Sequence, residues 1–311
     1  MLAESDEAST AKPPIYRGRF APSPTGPLHF GSLLTAVASY AQAKVNGGEW
    51  LIRIEDIDPP REQPEADKVI LNALEAYGFE PDGPVTYQSA FAERHEHVVK
   101  DLINAGKAYP CSCSRRDLAD ASRGPLGTIY PGTCRAGCDA DEFAIRLRTT
   151  KGPIHFIDAL QGFQSQRLQT ESGDFVIKRR DGLIAYHLAV VIDDHDQGVS
   201  EIVRGIDLLD STPLHIWVQQ VLGLNQPSYA HIPVAVNLEG HKLSKLTGAT
   251  GLSTDDPRPS LVAAVAALRQ DPPSSLQSES IATIWDWTLE HWQLNRLTEL
   301  RKIPSSHYGF G

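Results

Sequence analysis

Residues 16–54 read YRGRFAPSPTGPLHFGSLLTAVASYAQAKVNGGEWLIRI, and this stretch decides the fold. Residues 17–21 are typical of a strand, a proline-rich run interrupts it, and an alanine- and leucine-rich helix is predicted over 31–45. The Asn-Gly-Gly sequence at 46–48 ends that helix with residues that accept left-handed backbone. Residues 50–54 are apolar enough to form an internal strand. A strand, a helix and a strand at this spacing predict a βαβ unit and therefore a parallel sheet.

The alternation of strands and helices is interrupted once further along the chain. From residue 109 to about 175, cysteines, glycines and short alternating strands replace it, which indicates an insertion. The alternation resumes with a near-continuous apolar run at 185–192, which predicts another strand. Other predicted elements are helices at 64–77, 90–104, 213–222, 259–269 and 280–292, and strands at 143–148, 154–158 and 232–236. We expect an α/β fold with a doubly wound parallel sheet, an inserted subdomain and a short helical C-terminal extension.

Chain length, net charge and the distribution of apolar residues limit the classes of protein to which this chain can belong. The chain has 311 residues, which is room for about two domains. Its formal net charge of −10 counts against nonspecific binding of duplex nucleic acid, but a local basic patch such as Arg179 and Arg180 can still hold a specific RNA. No apolar run is long enough to span a membrane. Residues 1–15 lack the apolar core of a secretion signal, so we expect a disordered N-terminus and a cytoplasmic location.

Two short motifs carry the chemistry, His29-Phe30-Gly31-Ser32 and Lys242-Leu243-Ser244-Lys245. Gly31 allows backbone to approach a phosphate closely, and the N-terminus of the following helix offers unpaired N–H groups to it. His29 can reach a phosphate through a ring nitrogen. The alternative is that His29 only caps an ordinary helix.

The pair of motifs, with Arg19-Phe20-Ala21-Pro22-Ser23-Pro24-Thr25-Gly26 directly before the first one, resembles class I aminoacyl-tRNA synthetases and glutamyl-tRNA synthetases in particular. The resemblance covers about residues 17–245, and it departs from the usual motif where Ser32 replaces a second histidine. It implies a Rossmann-type catalytic domain at 16–108 and 186–245, ATP with Mg²⁺ as a substrate, and a lysine loop that closes over ATP. The resemblance assigns ATP binding to His29, Gly31, Ser32 and Lys245, and catalysis to His29, Lys242 and Lys245.

Glutamate carries two carboxylates and one ammonium group, so its site needs guanidinium forks and an anion. Arg19 and Arg204 supply the forks, Glu55 follows the second predicted strand and suits the ammonium, and Tyr186 offers a hydroxyl. The resemblance assigns glutamate binding to six residues, Arg19, Ala21, Ser23, Glu55, Tyr186 and Arg204. His215 is a departure, because glutamine is more frequent there in the family.

All four cysteines lie between Cys111 and Cys138, and such clustering favours a metal site over a disulfide framework. Chemistry alone favours four thiolates around one structural Zn²⁺. The resemblance instead selects Cys111, Cys113, Tyr130 and Cys134, with Cys138 as the alternate fourth ligand. We therefore expect a zinc-containing, acceptor-binding-like subdomain at 109–185.

Only 66 residues follow Lys245, so 246–311 is expected to be a helical extension without an anticodon-binding domain. This architecture resembles a truncated branch of the family. For that branch the resemblance implies a ligase that activates L-glutamate with ATP in the absence of tRNA, and we expect the protein to be a monomer. The ligase then transfers glutamate to queuosine at the wobble position of tRNA-Asp. The alternatives are an ordinary truncated glutamyl-tRNA synthetase that charges the tRNA 3′ end, an inactive regulatory paralogue, and a small nucleotidyltransferase.

Overall fold

A computed structural model describes residues 15–138, 140–243 and 250–310. The predicted disordered N-terminus therefore lies outside the described residues, apart from Ile15. Ser244 and Lys245 of the second motif also lie outside them.

The described residues contain eight helices and fourteen strands. The helices are α1 (Phe30–Val45), α2 (Ala66–Ala76), α3 (Ala92–Asn104), α4 (Leu168–Glu171), α5 (Tyr186–Asp196), α6 (Thr212–Leu222), α7 (Arg258–Ala267) and α8 (Ile281–His291). The strands are β1 (Arg17–Phe20), β2 (Glu49–Ile54), β3 (Thr86–Tyr87), β4 (Ala108–Cys111), β5 (Arg123–Gly124), β6 (Gly127–Thr128), β7 (Ala144–Leu147), β8 (Ile154–Asp158), β9 (Gly162–Gln166), β10 (Phe175–Lys178), β11 (Glu201–Gly205), β12 (Ser228–Ile232), β13 (Val234–Val236) and β14 (Lys302–Pro304).

Two groups of parallel strands form the centre of the fold. β1, β2 and β3 pair in parallel in that order, and β11 pairs in parallel with β12. The backbone N–H of Ser200 donates to the carbonyl of Arg17 at 2.9 Å, which joins the start of β11 to the start of β1. The predicted βαβ unit and the mixed α/β fold with a parallel sheet are confirmed.

Helix α1 connects β1 to β2 and is buried along most of its length. Its apolar side chains contact the parallel strands on one side and α7 and α8 on the other. An aromatic group fixes this packing, because the Tyr40 ring lies 5.1 Å from Trp50, 5.4 Å from Phe79 and 4.6 Å from Trp285, centroid to centroid. The second half of α1 is thereby packed against β2 and α8.

The strand predicted at 185–192 is wrong, because these residues form most of helix α5. Seven consecutive residues of α5, from Leu188 to Asp194, are buried. A helix that is buried on all sides has the same continuous apolar pattern as an internal strand, so periodicity cannot separate them. The strand next to this position is β11, which the sequence analysis missed. The strand predicted at 232–236 is divided at Pro233 into the end of β12 and β13, which belong to different sheets.

The segment between α3 and α5 contributes strands to two sheets. β4, β7 and β10 form an antiparallel sheet, whereas β8 pairs with β9 and also with β12 through Tyr229 and Asp158. β8 therefore ties this segment to the parallel strands. The subdomain boundaries at 109–185 stay a prediction.

Candidate active site

A cavity of about 530 Å³ opens at the carboxyl ends of β1, β2 and β11. Open α/β sheets place their ligand sites at this edge. Every predicted glutamate-binding or nucleotide-binding residue that the structure describes lines this one cavity. They are Arg19, Ala21, Ser23, His29, Gly31, Ser32, Glu55, Tyr186, Arg204 and Lys242.

The turn between β1 and α1 forms one wall of the cavity. His29 is the N-cap of α1, and its Nδ1 accepts a hydrogen bond from the backbone N–H of Ser32 at 3.3 Å. A Cβ atom on Gly31 would lie 3.0 Å from Cε1 of His29, so glycine leaves room for the ring in this position. His29 therefore caps the helix, as the alternative reading predicted, while its ring lines the cavity at the helix N-terminus.

The second motif approaches the same wall from the other side. Lys242 Nζ lies 2.6 Å from Oδ2 of Asp207, and Leu243 is buried in the cavity lining. Beyond the undescribed residues, Gly251 forms a β-bridge with His29. The described residues on both sides of Lys245 thus lie at the nucleotide turn.

A buried network of arginines and carboxylates forms the floor of the cavity. Arg19 donates from Nε and Nη2 to the two oxygens of Asp194, at 3.2 and 3.3 Å. Arg53 donates to Asp194 at 2.8 Å and to Glu55 at 3.1 Å. Burial opposes ionisation of Asp194, but Arg19 and Arg53 hold its pKa below the ordinary value. Burial raises the pKa of Glu55 despite the same two arginines, so a bound cation would stabilise the ionised form of Glu55.

Neutral groups, and not a carboxylate, hold the guanidinium of Arg204 in place. Its Nε donates to Nε2 of His231 at 3.1 Å, its Nη1 lies 3.2 Å from Nδ1 of His215, and its Nη2 donates to Oγ1 of Thr212 at 2.8 Å. Among the described residues, Arg204 forms no ion pair with a carboxylate, although only 3% of the residue is exposed. Its charge therefore has no direct carboxylate partner among the described residues.

The histidines around Arg204 are neutral. Burial and the Arg204 charge lower the pKa of His187 to about 4 and hold that of His215 well below the ordinary value. Burial also lowers the pKa of His231, against the effect of Asp158, whose Oδ2 lies 2.5 Å from its Nδ1. In this arrangement Nδ1–H of His231 donates to Asp158 and Nε2 is left to accept from Arg204.

The cysteine cluster lies apart from this cavity. The sulfur atoms of Cys111, Cys113 and Cys134 all lie within 4.8 Å of one another and could hold a metal ion. Tyr130 Oη lies 3.3 Å from the sulfur of Cys111 and 3.7 Å from that of Cys113. Cys138 packs against the cluster, but its sulfur is not among the three that converge.

Residues that the sequence analysis missed hold this cluster together. The guanidinium of Arg146 lies 3.8 Å from the centroid of the Tyr130 ring, and its Nε donates to the sulfur of Cys111 at 3.2 Å. Gly173 approaches Tyr130 so closely that a Cβ would lie 2.4 Å from its carbonyl oxygen. Although burial opposes it, hydrogen bonds from Ser112 and Tyr130 lower the pKa of Cys134 to about 6, which favours a thiolate.

Comparison with known proteins agrees with this geometry. A sequence profile described as tRNA synthetases class I (E and Q), catalytic domain, matches residues 16–269. A glutamyl-Q tRNA(Asp) synthetase of Dechloromonas aromatica is 51% identical over 282 residues, which are 89% of this chain and 94% of that protein. A protein of the same name from Pseudomonas aeruginosa PAO1 is 49% identical over 290 residues, covering 93% and 97%.

The fold comparison agrees as well. The crystal structure of a glutamate tRNA ligase from Elizabethkingia meningosepticum, in complex with its amino acid, superposes with a TM-score of 0.78 at 25% identity. The match covers 94% of this chain and 68% of that one.

The fold and the site define a class I aminoacyl-tRNA synthetase catalytic domain, which is the architecture of a ligase. Within that class, the chain belongs to the glutamyl-Q tRNA(Asp) synthetase family. The family predicted from the two motifs is thereby confirmed. None of the helices in the described part of the chain is long and apolar enough to cross a membrane.

Proposed function

We propose that this protein activates L-glutamate with ATP, without tRNA, and transfers the glutamyl group to queuosine at the wobble position of tRNA-Asp. One observation carries the proposal. The six residues expected to bind glutamate and the helix N-terminus expected to bind ATP line a single cavity. The names of the relatives at 48 to 51% identity support the choice of acceptor.

The activation step needs positioning and charge more than proton transfer. The α-carboxylate of glutamate attacks the α-phosphate of ATP, the bond to the bridging oxygen breaks, and pyrophosphate leaves as glutamyl-adenylate forms. The attacking group is already an anion, so no general base is required. Arg204 takes the side-chain carboxylate and Glu55 takes the ammonium. Burial raises the pKa of Tyr186, which keeps its hydroxyl protonated as a donor.

The nucleotide is held at the start of α1. His29, Gly31 and Ser32 face the phosphates there, and Mg²⁺ accompanies ATP as part of the substrate. Lys242 and Lys245 meet the pyrophosphate as it leaves. Support for Lys242 is its place in the cavity lining, and support for Lys245 is that Leu243 and Gly251 on either side of it lie at the nucleotide turn.

A structural Zn²⁺ bound by Cys111, Cys113, Tyr130 and Cys134 is part of the proposal. With Zn–S bonds of about 2.3 Å, a tetrahedral site has sulfur atoms about 3.8 Å apart. The sulfurs of Cys113 and Cys134 are 3.5 Å apart, and Tyr130 Oη lies at similar distances from Cys111 and Cys113. These distances support Tyr130 as the fourth ligand in preference to Cys138.

An ordinary glutamyl-tRNA synthetase that esterifies the 3′ end of tRNA-Glu is the second candidate, favoured by the likeness to the Elizabethkingia ligase. The identity to that protein is half the identity to the glutamyl-Q relatives. An inactive paralogue or a small nucleotidyltransferase is less consistent with a complete set of glutamate residues around the cavity. We propose a cytoplasmic monomer.

The decisive assay is incubation with ATP, labelled glutamate and tRNA-Asp, with and without queuosine. The proposal predicts label only on the queuosine-containing tRNA-Asp, and glutamate-dependent ATP–pyrophosphate exchange without any tRNA. Exchange that requires tRNA, or equal labelling of tRNA-Glu, would contradict it.

A further inference from the structure

Four arginines lie in or under the cavity, and among the described residues only Arg204 lacks an anionic partner. Arg61 pairs with Asp58 at the rim. Arg19 and Arg53 both pair with Asp194. Among the described residues, Arg204 has only neutral acceptors, which are side-chain atoms of His215, His231 and Thr212 and the backbone carbonyl of Leu208. A buried guanidinium without a counter-ion is costly, and a ligand carboxylate relieves that cost.

We infer that His215, His231 and Thr212 form a neutral cradle that determines the preference for glutamate over glutamine. The three side chains of the cradle each form a hydrogen bond with Arg204 but supply no charge. The positive charge of Arg204 is therefore available to an anionic side chain, and a neutral amide at the same place leaves it uncompensated. The cradle residues act through Arg204 and are positioning residues. This inference rests on the proposed glutamate site.

The structure also accounts for why these imidazoles stay neutral. His215, on α6, faces His187 of α5 at 3.1 Å, Arg204 of β11 at 3.2 Å and the Tyr186 ring at 5.5 Å. The positive charge of Arg19 also opposes its protonation. No carboxylate is among the groups that act most strongly on it.

Asp158 lies on the side of the His231 ring that faces away from Arg204. It orients the His231 ring by accepting its Nδ1–H, and it accepts backbone N–H groups of Leu160, Gln161 and His231. Those backbone bonds contribute to holding its charge at that position. The cradle thus presents acceptor atoms, and no net charge, to Arg204.

The test is a pair of isosteric variants, His215→Glu and His215→Gln. Both can accept a hydrogen bond from Arg204, but only the glutamate side chain compensates its charge. ATP–pyrophosphate exchange is measured with glutamate and with glutamine as substrates. We expect His215→Glu to lower the ratio of kcat/KM for glutamate to that for glutamine by roughly 30-fold or more, chiefly through KM for glutamate. His215→Gln should change that ratio by no more than about threefold.

A second pair, Thr212→Asp and Thr212→Asn, repeats the comparison at Nη2 of Arg204 in case His215→Glu fails to fold. Equal selectivity in the charged and neutral members of a folded pair would overturn the inference and leave the proposed function intact. No glutamate-dependent exchange by the unchanged protein would instead overturn the proposed function. A KM for ATP that rises as much as the KM for glutamate would mark the effect as structural damage, which also contradicts the inference.

Discussion

Arg19 and Arg204 have the same side chain and lie in the same cavity, yet their surroundings give them different properties. Asp194 compensates Arg19 and holds it in place, whereas neutral acceptors hold Arg204 and leave its charge to a ligand. The sequence pointed to both arginines through a family resemblance. It gave no sign of Asp194 or His231, because Arg19 and Asp194 are 175 positions apart and no local pattern links them.

The first prediction concerns Arg204. Arg204→Ala should raise KM for glutamate with a smaller effect on kcat, and should lower kcat/KM about 100- to 1,000-fold, because a buried charged hydrogen-bonding group is lost. The measurement is glutamate-dependent ATP–pyrophosphate exchange. Arg94→Ala is the matched control, since Arg94 pairs with Asp196 at the surface, and exposed pairs contribute about 1 kcal/mol or less. Comparable losses in both variants would contradict the assignment.

The second prediction concerns the lysine motif. Lys245→Ala should lower kcat about 100-fold and change KM for glutamate much less, because the positive charge of Lys245 is needed only as pyrophosphate leaves. Lys245 lies outside the described residues, so kinetics is the direct test of its role. Lys302→Ala serves as a control on an exposed lysine of β14. A Lys245→Ala enzyme with unchanged kcat would remove Lys245 from the mechanism.

At the scale of elements, the sequence predicted the strands and helices around α1 within one or two residues. It failed at α5, where burial on all sides removes the polar face that gives a helix its period. It also missed β11, the short strand that carries Arg204. Tyr186 still lies in the cavity, because it is the first residue of α5 and projects from that end of the helix.

The third prediction concerns the cysteine cluster between β4 and β7. Elemental analysis should find about one zinc per chain, which is the single four-ligand site this cluster can form. Cys134→Ser should lose the metal, and Cys138→Ser should retain it, because the sulfur of Cys138 is not among the three that converge. If Cys134→Ser retained zinc and Cys138→Ser lost it, Cys138 would be the zinc ligand and Cys134 would not.

The fourth prediction concerns pH. His187 on α5, His215 on α6 and His231 on β12 have pKa values below the ordinary value near 6.5 in the folded state. The unfolded chain therefore binds more protons than the folded one as the pH falls below about 6.5, and stability decreases on acidification. For His187, with a pKa of about 4, this loss continues down to that pH and reaches up to about 3 kcal/mol.

Urea unfolding across this pH range measures the effect. The unchanged protein should lose stability as the pH falls from about 6.5 to about 4. The His187→Gln variant should lose less over the same interval, because it lacks one of the groups that must become charged. Identical pH profiles for the two proteins would contradict the lowered pKa of His187.

At the scale of the whole molecule, the C-terminal segment completes the catalytic fold. β14 pairs in parallel with β13, α7 and α8 pack on α1, and the Phe310 ring stacks on Phe30 at 4.0 Å. The sequence predicted helices here but not β14, because a three-residue strand has no pattern of its own. The nucleotide turn at the start of α1 is thus supported by residues from the opposite end of the chain.

We propose that glutamate is activated in this cavity and transferred to queuosine. The fifth prediction, and the most direct test, is nuclease mapping of labelled glutamate on tRNA-Asp after incubation with ATP and the protein. We predict label on the anticodon fragment that contains queuosine and none on unmodified tRNA-Asp. Transfer should weaken as salt rises, since an acidic protein holds RNA through local Lys and Arg contacts with phosphates. Label on the 3′-terminal adenosine would contradict the account.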